Sequence, residues 1–150
     1  TRKDLVDEIL QRTLDTLPRE SRFNVLAYTR EPFAWQEELS KVGRKGVRSA
    51  MEFFTKLHVT GPGDVWTASQ VVLGDPELDT VCIVTDGAPT GGHRWDLVLM
   101  VELFMQETRW LPVRFDVVLV DCPKGLERRW RDLTQRTGGE LMQLSFDPPQ

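Results

Sequence analysis

Two segments of this chain are almost unbroken runs of apolar and β-forming residues, Thr80–Val84 (TVCIV) and Val113–Val120 (VRFDVVLV). A strand with water on one face alternates apolar and polar side chains. A nearly continuous run instead belongs to a strand covered on both faces, the environment of a parallel sheet flanked by helices. Parallel neighbours need connections too long for hairpins, so the chain between them must carry helices. No other feature restricts the fold as much.

The remaining pattern agrees with strands alternating with helices. From Lys3 to Leu17, Val6, Ile9, Leu10, Leu14 and Leu17 recur at helical spacing, and Pro18 closes the pattern. Arg22–Thr29 (RFNVLAYT) alternates, and Pro32–Trp35 (PFAW) reads as a short edge strand opened by a proline; together they fit a small hairpin. Val47, Ala50, Met51, Phe54 and Leu57 mark a second helix, which the loop Thr60-Gly61-Pro62-Gly63 follows. Asp64 is a natural N-cap for a third helix through Val65, Ala68, Val72 and Leu73, with Gly74 as its stop. A helix over about Trp95–Thr108, another over Leu126–Gln135 and a last strand over Glu140–Leu144 complete the reading. The fold expected is a single Rossmann-like domain over residues 1–146, three-layer α/β/α, with a doubly wound, mostly parallel sheet and one antiparallel edge strand near Trp35. Residues 147–150 form a tail.

Composition narrows the function classes. With 23 acidic against 19 basic side chains the formal charge is −4, so no long-range attraction to nucleic acid or anionic lipid is expected. Arg128, Arg129 and Arg131 are spread around a helix axis and read as solvated surface. Cys82 and Cys122 are too few for a disulfide framework; they read as free, buried thiols in a reducing, cytoplasmic setting. No apolar run approaches the roughly 20 residues that span a bilayer, and the chain is expected to be soluble. It begins at Thr1, already inside a helical pattern, which suggests a piece of something longer. The five tryptophans are expected mostly in or near the core.

In open α/β sheets ligands bind beyond the carboxyl ends of the strands. The clearest such place is Thr85-Asp86-Gly87-Ala88-Pro89-Thr90-Gly91-Gly92, which leaves a buried strand and enters a helix. A carboxylate at Asp86 is placed to hold a cation, and equally to accept N–H bonds from its own loop or cap the next helix. The glycines could present N–H groups to a phosphate, yet neither Gly-x-Gly-x-x-Gly nor Gly-x-x-x-x-Gly-Lys-Ser/Thr occurs. His58 and His93 belong to no readable catalytic arrangement, and Cys122, after Asp121, has no identifiable base.

A buried strand ending in Thr85-Asp86-Gly87, then Pro89-Thr90 and a glycine, resembles the fourth-strand signature of the von Willebrand factor type A family. Phe33-Ala34-Trp35 before a helix, Gly61–Ala68 before another, and LTQRTGG at Leu133–Gly139 before the last strand agree with it in order. The resemblance implies a non-enzymatic protein-interaction module with a metal ion-dependent adhesion site. That site takes Mg²⁺, or Mn²⁺ or Ca²⁺, on an Asp-x-Ser-x-Ser loop, a Thr of a second loop and an Asp of a third, and a partner's acidic side chain completes the coordination. Hydroxyl and carboxylate oxygens suit such a hard cation.

The departures are specific. No Asp-x-Ser-x-Ser occurs in the chain, and the family's first, central strand, which carries it, would lie upstream of Thr1. Gly63 stands where the family has its metal-binding Thr, which leaves Thr60 or Asp64 as substitutes. The degenerate metal set is therefore Asp86, Asp64 and Thr60, with Gly87, Pro89, Thr90 and His93 facing a partner. Because a missing central strand leaves unpaired backbone groups, residues upstream or another chain are expected to supply it. The function expected is a protein-protein interaction module that binds a partner at the C-terminal edge of the sheet. The alternatives are a structural scaffold whose metal site is lost and, less favoured, a phosphate- or nucleotide-binding enzyme.

Overall fold

The structure is a computed structural model that describes residues 1–58, 62–89 and 96–146. Its contacts fall into two compact units, residues 1–61 and 62–150.

The first unit opens with helix α1 (Arg2–Asp15), held at its start by a capping box in which Thr1 and Asp4 satisfy each other's backbone N–H. The helix ends at Asp15, short of the expected Leu17, because Leu17 N–H turns back to Leu14 C=O in a tighter final turn. The alternating run that follows is two short strands rather than one, β1 (Arg22–Phe23) and β2 (Leu26–Tyr28). Asn24 causes the break. Its Oδ1 accepts from Val25 N–H at 2.8 Å and from Gln36 N–H at 3.1 Å, while Nδ2 donates to Gln36 C=O at 2.8 Å. This amide takes the place of ladder bonds. β2 pairs antiparallel with β3 (Pro32–Ala34), the hairpin expected near Trp35, and β1 pairs antiparallel with β4 (Ser40–Lys41), a strand too short and polar to announce itself.

Helix α2 (Arg44–Lys56) closes the unit. Leu14, Phe23, Val25 and Ala50 form its core, and Leu10, Trp35, Val47 and Phe54 pack against them. The rings of Phe23 and Trp35 stack at 5.1 Å, and the Trp35 indole N–H donates to Ser49 Oγ at 3.1 Å.

The second unit holds helix α3 (Val65–Leu73), strand β5 (Thr80–Thr85), helix α4 (Leu97–Thr108), strand β6 (Arg114–Val120), helix α5 (Glu127–Thr137) and strand β7 (Leu141–Leu144). The strands form one parallel sheet in the order β5-β6-β7, with Val81 beside Phe115 and Val118 beside Met142. β6 is central, and Phe115, Val117 and Leu119 along one of its faces are essentially inaccessible. Against that face the rings of Phe104 and Phe115 stack at 5.5 Å, and Trp66 stacks on Phe104 at 5.4 Å. Trp130 and Leu133 of α5 are fully buried. Val118 and Val120, on the other face of β6, are buried too, as its apolar run requires.

β5 departs from that reading. Its Ile83 and Thr85 are buried but Cys82 is exposed, because among the described residues β5 pairs with β6 alone and is an edge strand. Both cysteines are free, as expected, but neither is fully buried. Trp110 is also displaced from the core: it is 80% exposed in the turn after α4, with the Arg109 guanidinium 5.0 Å from its ring. Trp95 lies outside the described residues.

Candidate functional site

The carboxyl ends of β5, β6 and β7 lie side by side, and the turn leaving β5 is built by its own side chains. Thr85 Oγ1 accepts from Gly87 N–H at 3.1 Å, and Asp86 Oδ1 accepts from Ala88 N–H at 3.0 Å. Threonine and aspartate are suited to this because their short side chains reach the backbone two residues on. Asp86 itself is exposed at the strand tip, so one oxygen holds the turn and the rest of the carboxylate faces outward.

Gly87 has two reasons to be glycine. Its φ is +88°, a conformation L side chains rarely adopt, and a Cβ would stand 2.4 Å from Cys122 Sγ. Its carbonyl accepts from the Trp130 indole N–H at 3.0 Å, which ties the turn to α5 beneath it. Pro89 is buried. The Asp86 turn is thus braced on a fully buried tryptophan.

Beyond β6, Asp121 takes a positive φ of 51°, uncommon for a residue with a side chain. Asp121 N–H donates to Leu144 C=O at 2.9 Å, and Asp121 Oδ1 accepts from Phe146 N–H at 2.9 Å and Ser145 Oγ–H at 3.3 Å. These bonds stitch the ends of β6 and β7 together. Next to it, burial raises the Cys122 thiol pKa, and the carboxylates of Glu127 and Asp86 raise it further. Glu127 is held below the usual range by hydrogen bonds from Arg131 and then Gln143. The edge therefore carries negative charge and a thiol that resists ionisation. Neither Asp121 nor Trp130 is among the site residues the sequence suggests; the available signal is their position, one at a second strand tip and the other on the helix that follows it.

Asp64 stands apart from this chemistry. It is 7% exposed and caps α3, with Oδ1 accepting from Thr67 N–H at 2.9 Å and Oδ2 from Thr67 Oγ1 at 2.7 Å. The N-cap reading of Asp64 holds, and each of its oxygens accepts a bond from Thr67. Thr60, Thr90 and His93 lie outside the described residues. Among the described residues no group of three or more His, Cys, Asp or Glu is placed to share an ion. A hard divalent cation needs several preorganised oxygens. Asp86 is the one member of the expected set that offers an outward carboxylate, so the described donors do not fit such an ion.

No family model matches the sequence, and no curated protein matches it. Solved structures do. The chain superposes on a von Willebrand factor type A protein from Catenulispora acidiphila with a TM-score of 0.75 at 16% identity, over 95% of this chain and 34% of that one. It superposes on an aerotolerance-related membrane protein from Bacteroides fragilis with a TM-score of 0.64 at 12% identity, over 95% of this chain and 81% of that one. The chain thus spans about a third of the length of the first of these structures. It has a von Willebrand factor type A-like fold, as the fourth-strand signature at Thr85-Asp86-Gly87 implied. Among the described residues no helix is long and apolar enough to cross a membrane.

Proposed function

We propose that this von Willebrand factor type A-like chain is a non-enzymatic recognition module that binds a protein partner at the carboxyl edge of β5-β6-β7, around Asp86. The observation that carries the reading is the exposed Asp86 carboxylate on a turn tied to α5 by the Trp130–Gly87 bond. A preorganised polar group on a stiff scaffold loses little freedom when a partner engages it. Thr90 and His93, which follow this turn in the sequence, extend the contact in this reading. A strand from upstream residues or from another chain completes the sheet at the second edge of β5, which no strand covers among the described residues.

The metal-dependent version of this reading adds Mg²⁺, Mn²⁺ or Ca²⁺ on Asp86, with Thr60 and groups beyond the described residues supplying the remaining oxygens. The scaffold alternative draws on Asp64, whose carboxylate is spent on capping α3. Affinity capture with the wild-type chain and with Asp86→Arg separates recognition from scaffolding. A partner retained by the first and lost with the second supports recognition. An identical set of captured proteins rejects the Asp86 face.

A further inference from the structure

The first unit carries a second surface, remote in chemistry from the acidic strand tips. Between α1 and α2 runs an open groove of about 1090 Å³. Its floor is apolar, with Leu14 and Leu17 contributed from α1 and its C-terminal turn, and Val47 and Met51 from α2. The stripe that α2 presents, residues 44, 47, 48, 51, 52, 55 and 56, is one helical face. Its rim is basic: Arg19, Arg44, Arg48 and Lys56 against Asp15 and Glu52.

Arg19, Arg44, Arg48 and Lys56 are all exposed. No acidic residue stands between Glu38 and Glu52, while Lys41, Arg44, Lys45 and Arg48 all fall there. The first turn of α2 has no acidic side chain to offset the positive end of the helix. In a chain of net charge −4 this is a local reversal of sign, set around an apolar floor.

We propose that this groove docks an acidic amphipathic helix of a protein partner. The 13 residues of α2 give the groove a length of about 20 Å, which matches a partner helix of three to four turns. Apolar side chains at i, i+3, i+4 and i+7 of that helix rest on the half-buried Leu17, Val47 and Met51, and its flanking carboxylates meet Arg44, Arg48, Lys56 and Arg19. A bilayer surface is the poorer fit, because membrane-binding faces present protruding apolar side chains whereas these are recessed behind the charges. Nucleic acid fits poorly as well, since the floor offers no aromatic ring for a base to stack on.

The test titrates the full, isotope-labelled chain with a synthetic peptide of about 15 residues, Leu at the four anchor spacings, Glu flanking them and Ala elsewhere, stapled to hold it helical. Binding should shift the resonances of Leu17, Arg44, Val47 and Met51, and weaken as salt is added. Arg44→Glu/Arg48→Glu, at two exposed positions and checked for an intact fold by circular dichroism, should weaken it by about tenfold or more. The proposal is overturned if the double variant binds as well as wild type. It fails equally if a peptide of the same composition with its leucines off helical spacing binds as tightly, if phosphatidylserine vesicles bind more tightly through the same residues, or if nothing binds at about 1 mM peptide.

Discussion

Gly87→Ala separates two penalties that a single substitution normally confounds. The first is conformational: at φ +88° a side chain is strained, and holding an L residue in left-handed backbone costs about 1–2 kcal/mol. The second is steric, because the new methyl would lie 2.4 Å from Cys122 Sγ, and overpacking of this kind costs about 1–3 kcal/mol. Together they predict a loss of about 2–5 kcal/mol. Cys122→Ala removes the Sγ and leaves the Cys122 Cβ at 3.4 Å and Trp130 Nε1 at 3.5 Å, both in ordinary contact. In that background Gly87→Ala should cost the backbone strain alone, so the cycle should show a coupling of about 1–3 kcal/mol. Urea unfolding of the four proteins, followed by near-ultraviolet circular dichroism and analysed at constant slope, measures this. A coupling below about 0.5 kcal/mol would mean that Cys122 turns aside without cost, and that the turn is not wedged between β6 and α5.

Other consequences follow from neighbouring contacts. Gly139→Ala should destabilise by about 3 kcal/mol or more, since its methyl would sit 1.8 Å from the Phe115 carbonyl oxygen, a backbone atom that cannot rotate away; a loss under about 1 kcal/mol in the same assay would contradict that packing. Trp130→Phe leaves the buried Gly87 carbonyl without its donor and should cost about 1–3 kcal/mol, with faster amide exchange through residues 85–88. Desolvation, and then the Asp116 carboxylate, push the Cys82 thiol up to about 11. At pH 8 the thiolate is therefore scarce, and Cys82 should alkylate about 100-fold more slowly than an unperturbed thiol, a gap that narrows as the pH approaches 11 and in Asp116→Asn. A free-thiol rate at pH 8 would refute this. Because the raised pKa favours the protonated folded form, the stability it contributes is present below about pH 9 and is lost as the pH rises through about 11. Calorimetric titration with MgCl₂ and MnCl₂ decides the metal-dependent version: saturable heat that Asp86→Ala abolishes would establish it, and heat unchanged in Asp86→Ala would reject Asp86 as a ligand.

Much of the fold was legible because it is written in periodicity. The TVCIV and VRFDVVLV runs marked β5 and β6, and the N-cap at Asp64 and the stop at Gly74 placed α3 to the residue. Less legible were features set by tertiary context. Asn24 splits an alternating run through a side-chain bond to Gln36, twelve residues away, and no local pattern reports this. Trp110 and Cys82 look like core by composition but sit exposed at a helix end and on an edge strand. At the candidate site Asp86 and Gly87 were readable from the turn signature. Their bracing by Trp130, and the Asp121 bonds that join β6 to β7, were not, because the partners meet only after both crossovers are formed.

The central claim is that one end of the parallel sheet is the binding face, and photo-crosslinking from both ends of the same strand tests it most directly. A photoreactive phenylalanine placed at Lys124, exposed just past the carboxyl end of β6, leaves Asp86 intact; the matched probe at Pro112, exposed just before its amino end, lies about 25 Å or more away along the strand. Expressed in the native cell, position 124 should yield discrete adducts that Asp86→Arg diminishes, while position 112 yields none. Adducts from position 112 alone, or adducts at 124 indifferent to Asp86, would place recognition elsewhere on the molecule.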